Sequence, residues 1–471
     1  MTDLWKLTAR EASALVKARK ASPAELVRTA LARIRETDAA LNALPTLCAE
    51  RALQRAAKPG LVETPLAGLP IAVKDMNDVE GVRTTYGSPL FADHVPPASD
   101  AMVETLEGNG ALVLAKSNVP EFGHGANTYN EVFGKTRNPW DTSLTCGGSS
   151  GGSAVAVATG QVWAATGSDF GCSLRTPAAF CSVVGLRPSP GRIARSRTRL
   201  PYDNLWVQGP MARNVGDVAM LLDAMLGAHP LDPISMESPG HRYLDAALSP
   251  RTPRRIAFSA DLGGAVQVSR QVRTLFAEAM KKIDDAGIAC VEEAPDFTGA
   301  AGAYQALRAN QFVGDLGPII EAHSNKVRRE LVENYARGKE LPAEVLGKAE
   351  NARGEIYERV ARFMEAYDLL ICPATAVLPF DVERRHVESI DGVAFQHYYE
   401  WYAICYVLTL TSLPVLSLPC GYSSEGLPVG IQVVGKPRGE YELIAFAARL
   451  EEVFGVSART PCQPKVTHLG T

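Results

Sequence analysis

From Leu69 to Lys74 large apolar residues alternate with others. Leu69, Ile71 and Val73 fall on one face of an extended chain, and Pro70, Ala72 and Lys74 fall on the other. That period of two predicts a strand within 65–75. Upstream the period is helical, with Leu26, Ala30, Ile34 and Leu41 on one face. Two capping boxes, Thr8 with Glu11 and Ser22 with Glu25, mark helix starts, and Pro23 takes the first helical position after Ser22. Downstream, 111–115 predicts a second short strand. The segment 153–160 has no polar face and predicts a short helix buried all round. A buried strand over 161–166 follows, then a turn over 167–173, and Thr176-Pro177 opens the next helix.

The second half continues the alternation. Residues 187–200 are basic and read as a surface loop, 215–226 as an amphipathic helix, and 227–252, rich in Pro and Ser, as a linker or surface excursion. Strand, helix and strand follow over 255–258, 268–286 and 287–291. Residues 321–368 are helical and charged, and further strands are expected at 369–373, 414–418 and 429–434. Alternation from residue 65 onward predicts an α/β fold, a single large domain over 1–471 with a central mixed sheet flanked by helices.

Composition narrows the function classes. Hydrophobic residues at 46% against 21% charged give a globular chain. With 48 basic and 52 acidic side chains, net −4, there is no field to draw nucleic acid or an anionic membrane. The nine cysteines include no C-x-x-C pair, so neither a zinc site nor a complete disulfide framework is signalled, and a reducing cytoplasm fits. The N-terminus lacks the apolar core of a signal peptide. Residues 401–424 are apolar but interrupted by Pro414 and Pro419, which suits buried strands better than a membrane span.

Candidate chemistry sits in 146–180, where glycines and serines crowd together: Cys146-Gly-Gly-Ser-Ser-Gly-Gly-Ser153, then Gly167-Ser-Asp-Phe-Gly-Cys-Ser-Leu-Arg-Thr-Pro177. A phosphate-binding loop would need a Gly-Lys-Ser/Thr that is missing. Gly147 to Gly151 formally fits a nucleophile elbow, but the residues before it make a poor strand. A third device is a serine activated by a lysine, which works only if the amine falls from about 10.4 towards neutrality in an apolar, glycine-walled site. Lys74 is available for this, although a lone lysine at a strand end ordinarily reads as solvated.

Three segments together, Gly68-Leu-Pro-Ile-Ala-Val-Lys-Asp75, Gly147-Gly-Ser-Ser-Gly-Gly-Ser153 and Gly167 to Phe180, resemble the amidase signature family in order and spacing. The likeness extends through Gly185-Leu-Arg-Pro188, Gly209-Pro-Met-Ala-Arg213 and Gly426-Leu-Pro-Val-Gly-Ile-Gln432. It implies a signature core over 65–190, a helical part over 1–60 and a variable, substrate-side region over 228–365. It implies Ser173 as nucleophile, Lys74 as base and Ser149, in a cis peptide, as the serine between them. The backbone N–H groups of Phe170, Gly171, Cys172 and Ser173 would hold the oxyanion, and Asp169 and Arg175 would pair to shape the turn. Gly123, His124, Gly125 and Asn127 would line the acyl pocket. Tyr398, Trp401 and Tyr402 form an aromatic cluster that caps the site or packs the core. No metal or cofactor is required.

Cys172 stands where the family usually has glycine. If the position demands a left-handed angle, a side chain there costs about 1–2 kcal/mol. The thiol is itself a weaker candidate for nucleophile. The implied activity is hydrolysis of a small-molecule amide to carboxylate and amine, by a monomer or homodimer. The rivals are the glutamine-hydrolysing component of a tRNA amidotransferase and an inactive binding protein. An Arg-rich helical pattern associated with glutamine recognition is not evident over 321–362.

Overall fold

The computed structural model describes residues 3–196 and 198–467; of the expected basic loop, Arg197 lies outside the described residues. Eleven strands form one mixed sheet. In chain order they are β1 (Thr46–Leu47), β2 (Leu69–Lys74), β3 (Ala111–Ser117), β4 (Ala164–Asp169), β5 (Val184–Arg187), β6 (Val207–Ala212), β7 (Ile256–Phe258), β8 (Cys290–Glu292), β9 (Leu369–Pro373), β10 (Val415–Tyr422) and β11 (Pro428–Val434). Across the sheet they run β1-β3-β2-β4-β6-β5-β10-β11-β9-β7-β8. β3, β2 and β4 are mutually parallel, as are β9, β7 and β8, and the centre is antiparallel.

Every residue of β2, β3 and β4 is buried. The alternation in β2 is therefore not an inside–outside pattern, because helices cover both faces of parallel strands. Lys74 is buried with the rest, which corrects its reading as a solvated strand end. Both capping boxes form as expected, ahead of the helices Ala9–Lys17 and Pro23–Leu41. The all-apolar helix is Gly151–Ala158, buried at every position.

Two expectations are corrected. The first part of the expected loop, 187–196, is not a surface loop: Arg187 is fully buried and donates to Asp169 and Leu205, Arg192 pairs with Glu440, and Arg195 lies 3.9 Å from Asp232. Buried charge persists where carboxylates and carbonyls satisfy it. The helix expected at Thr176 begins at Arg175, because Cys172 O accepts from the N–H groups of both Arg175 and Thr176 and closes the first turn directly after Ser173.

Close approach explains one glycine of the serine run. A Cβ on Gly152 would lie 2.4 Å from Asn118 N and 2.6 Å from Ala43 O, both backbone atoms. Gly354, in the helix Ala343–Phe363, has no neighbour within 4 Å of such a Cβ. Both substitutions by alanine raise helix propensity, so packing decides the sign. Gly152→Ala is expected to lower stability by about 1–3 kcal/mol, and Gly354→Ala to raise it by about 0.5–1 kcal/mol, both read from urea midpoints.

Candidate active site

The site is built on the turn between β4 and the helix Arg175–Cys181. The Asp169 carboxylate closes β4 and is gripped by Arg175, Nη2 to Oδ1 at 2.8 Å and Nε to Oδ2 at 3.0 Å. The N–H of Leu174 donates to the same carboxylate at 2.9 Å. Arg187 donates to the Asp169 carbonyl at 2.5 Å from the other side. Burial would raise the Asp169 carboxyl, but Arg175 and Arg187 outweigh it and hold it below its ordinary value. Arg175 also ties the turn itself, through Gly171 O at 2.9 Å, and reaches Cys405 O and Gln432 Oε1.

That bracing leaves the intervening peptides unused. Among the described residues, none of the N–H groups of Phe170, Gly171, Cys172 and Ser173 donates a hydrogen bond within the protein. All four residues line one cavity of about 350 Å³. Four consecutive donors without internal acceptors suit a carbonyl oxygen that gains negative charge. Cys172 does not adopt a positive φ, so the cost attached to a left-handed angle does not arise. Its Sγ is buried 3.7 Å from Gly148 O, and burial, with Cys405 and Asp169 behind it, pushes the thiol well above its ordinary value. A thiolate is correspondingly disfavoured there.

Lys74 enters from the end of β2. Its Nζ lies 2.7 Å from Ser149 Oγ, 2.9 Å from Ser168 Oγ and 3.4 Å from Ser168 O. The Gly148–Ser149 peptide is cis. Burial lowers Lys74 to about 7, opposed by the Asp169 charge, which Arg175 and Arg187 already engage. A neutral amine has two donors and one acceptor site. It can donate to both oxygens of Ser168 and accept from the Ser149 hydroxyl, so the deprotonated state is fully hydrogen-bonded. Among the described residues the Ser173 hydroxyl makes no hydrogen bond, and Ser149 and Ser173 face the same cavity. Such links are often loose in a free enzyme and tighten on substrate.

Of the expected pocket residues, Gly123, His124 and Gly125 line the cavity. His124 packs on Phe312 at 4.3 Å between centroids, and burial, then Arg308 and Arg328, hold its imidazole well below its ordinary value. A neutral ring suits a wall. Asn127 is elsewhere: its amide donates to the carbonyls of Arg384 and Arg385, and its Oδ1 accepts from Thr145. It pins two loops and does not line the cavity, which corrects the expectation. The aromatic cluster divides, with Tyr402 on the cavity wall and Trp401 packed in the core against Phe380. Ser168, Tyr304 and Arg308 also line the cavity. No local sequence pattern marks them.

The amidase family model matches residues 25–444, most of the chain and all three motif segments. This chain belongs to the amidase signature family. A glutamyl-tRNA(Gln) amidotransferase component of Moorella thermoacetica is 34% identical, with 98% of this chain and 99% of that one covered. An acylamidase of Rhodococcus erythropolis is 29% identical over 96% of each. The solved structure of a 6-aminohexanoate cyclic dimer hydrolase superposes with a TM-score of 0.87 at 25% identity, over 98% of this chain and 99% of that one. The acylamidase and the cyclic dimer hydrolase place amide hydrolysis among the chemistries of this family, and among the described residues no helix is long and apolar enough to cross a membrane.

Lys74 also carries a stability signature. It takes up its proton below about 10.5 when unfolded but only below about 7 when folded. Between those values the unfolded chain binds more protons, so this group makes stability rise with pH there and adds no slope below the window. Lys74→Met is expected to remove that rise. Urea midpoints of wild type and variant, compared from pH 7 to 10, should diverge in the wild type's favour as pH increases.

Proposed function

We propose that the protein is a free hydrolase of small-molecule amides, working through an acyl-enzyme on Ser173. The observation that carries this reading is the Lys74 amine, buried, lowered to about 7 and 2.7 Å from Ser149, beside a turn with four unused N–H groups. Lys74 accepts the Ser149 proton as Ser149 accepts that of Ser173. The Ser173 oxygen then attacks the amide carbon. The carbonyl oxygen takes up charge against the N–H groups of 170–173. As the carbon–nitrogen bond breaks, the proton returns from Lys74 through Ser149 to the departing nitrogen, which leaves as amine or ammonia. Water, deprotonated along the same path, releases the carboxylate and restores Ser173.

The cavity volume suits a small ligand. Aromatic rings, among them Phe122, Trp206, Tyr304 and Tyr402, supply much of its wall, beside a few polar groups. This agrees with acylamidase and cyclic-amide hydrolase relatives. The second reading is a glutamine-hydrolysing component that works inside an amidotransferase, favoured by the 34% identity to such a protein over nearly the whole chain.

Ser173→Ala is expected to reduce turnover of a panel of aliphatic and aryl amides by about 10³-fold or more, with an unchanged thermal melt. Retained turnover would relocate the nucleophile. Assay of the wild type alone, beside glutamine with and without added amidotransferase partner proteins, separates the two readings. Glutamine hydrolysis that depends on those partners, with no turnover of the panel, would overturn the free hydrolase.

A further inference from the structure

One helix supplies a stripe of polar groups to the cavity wall. Tyr304, Arg308, Gln311 and Asp315 recur at the spacing of a single face of the helix Ala300–His323, and all four line the cavity. Tyr304 is 0% exposed, yet its hydroxyl has no hydrogen-bond partner among the described residues. A Cβ placed on Gly171 would lie 2.7 Å from that oxygen, so the hydroxyl stands directly against the turn bearing the free N–H groups. The ring is fixed by stacking on Tyr406 at 4.0 Å. Burying a hydroxyl without a partner is costly, so such a group in a folded protein calls for an explanation.

Arg308, one helical turn on, is the stronger anomaly. It is 2% exposed, and among the described residues no carboxylate lies within 4.0 Å of it. Its contacts are neutral: Nη1 donates to Asn334 Oδ1 at 2.5 Å, Nη2 donates to the Tyr398 hydroxyl, and the guanidinium lies over the rings of Phe312, Tyr398 and Tyr399 at 4.6, 5.3 and 4.7 Å. The fully buried arginines behind the turn, Arg175 and Arg187, are by contrast matched by the Asp169 carboxylate. A buried cation held by neutral acceptors and ring faces keeps its charge uncompensated, and the cavity is the direction from which an anion can reach it.

Resting on the reading of this cavity as an amidase site, we infer that Tyr304 and Arg308 form a subsite for a carboxylate, so that the preferred substrates are amides that also carry a carboxylate group. The guanidinium provides charge and a planar pair of donors, and the hydroxyl provides a third donor on the side of the turn. Neither residue takes part in bond breaking. Both orient the substrate and choose it.

The test uses Ser173→Ala, so that binding is read without turnover. Calorimetry compares monoamides of short dicarboxylic acids, from malonate to adipate, with the isosteric neutral diamides. At one chain length or more the monoamide is expected to bind at least about tenfold tighter than its diamide. Adding Arg308→Gln should cut that preference by about 10- to 100-fold, while Arg308→Lys keeps part of it. Tyr304→Phe should weaken the monoamide by about two- to tenfold yet melt no lower than its parent, since its hydroxyl has no partner to lose in the free protein. Equal binding of monoamide and diamide at every length, or a preference that survives Arg308→Gln, overturns the subsite. If Arg308→Gln gives no cooperative melt, a preference kept in full by both Arg308→Lys and Tyr304→Phe overturns it. Turnover persisting in Ser173→Ala would instead count against the proposed mechanism, and the binding comparison would still decide the subsite.

Discussion

The carboxylate of Asp169, held between Arg175 and Arg187 inside the protein, sets the shape of the turn from which the rest of the site follows. Removing one partner of such a buried pair typically costs about 3–5 kcal/mol, because the remaining charge is left unpaired. Here the pair also has a positional consequence. Asp169 takes the Leu174 N–H and Arg175 takes the Gly171 carbonyl, so the two ends of the turn are tied and the four N–H groups between them have no internal acceptor. The same arrangement engages the negative charge nearest Lys74, which lets desolvation govern that amine.

Two lysines at neighbouring strand ends show what the surroundings decide. Lys74 on β2 and Lys116 on β3 are both 0% exposed. Lys116 has Asp75 at 3.0 Å, with Asn77 O and Thr84 Oγ1 each at 2.7 Å, and so is tied into the fold by an ion pair and two hydrogen bonds. Among the described residues, Lys74 Nζ has only serine oxygens within hydrogen-bond reach. Burial with a carboxylate keeps a lysine charged, whereas burial among hydroxyls favours the free amine that proton abstraction requires.

Strands β2, β3 and β4, the five strands of the second half and the serine run are legible in the sequence because their patterns are local. Lys74, Ser149 and Ser173 lie in segments whose residue types are constrained by chemistry. β6 escapes the strand pattern, since Gly209-Pro210 resembles a turn; there, a Cβ on Gly209 would meet Leu186 O at 2.1 Å, so close backbone packing requires the glycine. The inward-turned arginines of 187–195 read as solvent-exposed because charge suggests exposure, and only the fold brings Asp232 and Glu440 to them. Nearness to Gly125 in sequence points Asn127 towards the pocket, yet its side chain is drawn away by carbonyls more than 250 residues further on. Tyr304 and Arg308 give no signal at all. Their helix mixes small, apolar and polar residues without a clean amphipathic pattern, and their meaning depends on a turn far upstream.

The central claim is that a neutral Lys74, acting through Ser149, activates Ser173. Its most direct measurement is the rate of Ser173 modification by a fluorophosphonate as a function of pH, followed by mass spectrometry of the labelled peptide. The account predicts a rate that climbs with pH to a plateau, with a midpoint near the value of about 7 to which burial brings Lys74. A rate that stays flat from about pH 6 to 9 would contradict it.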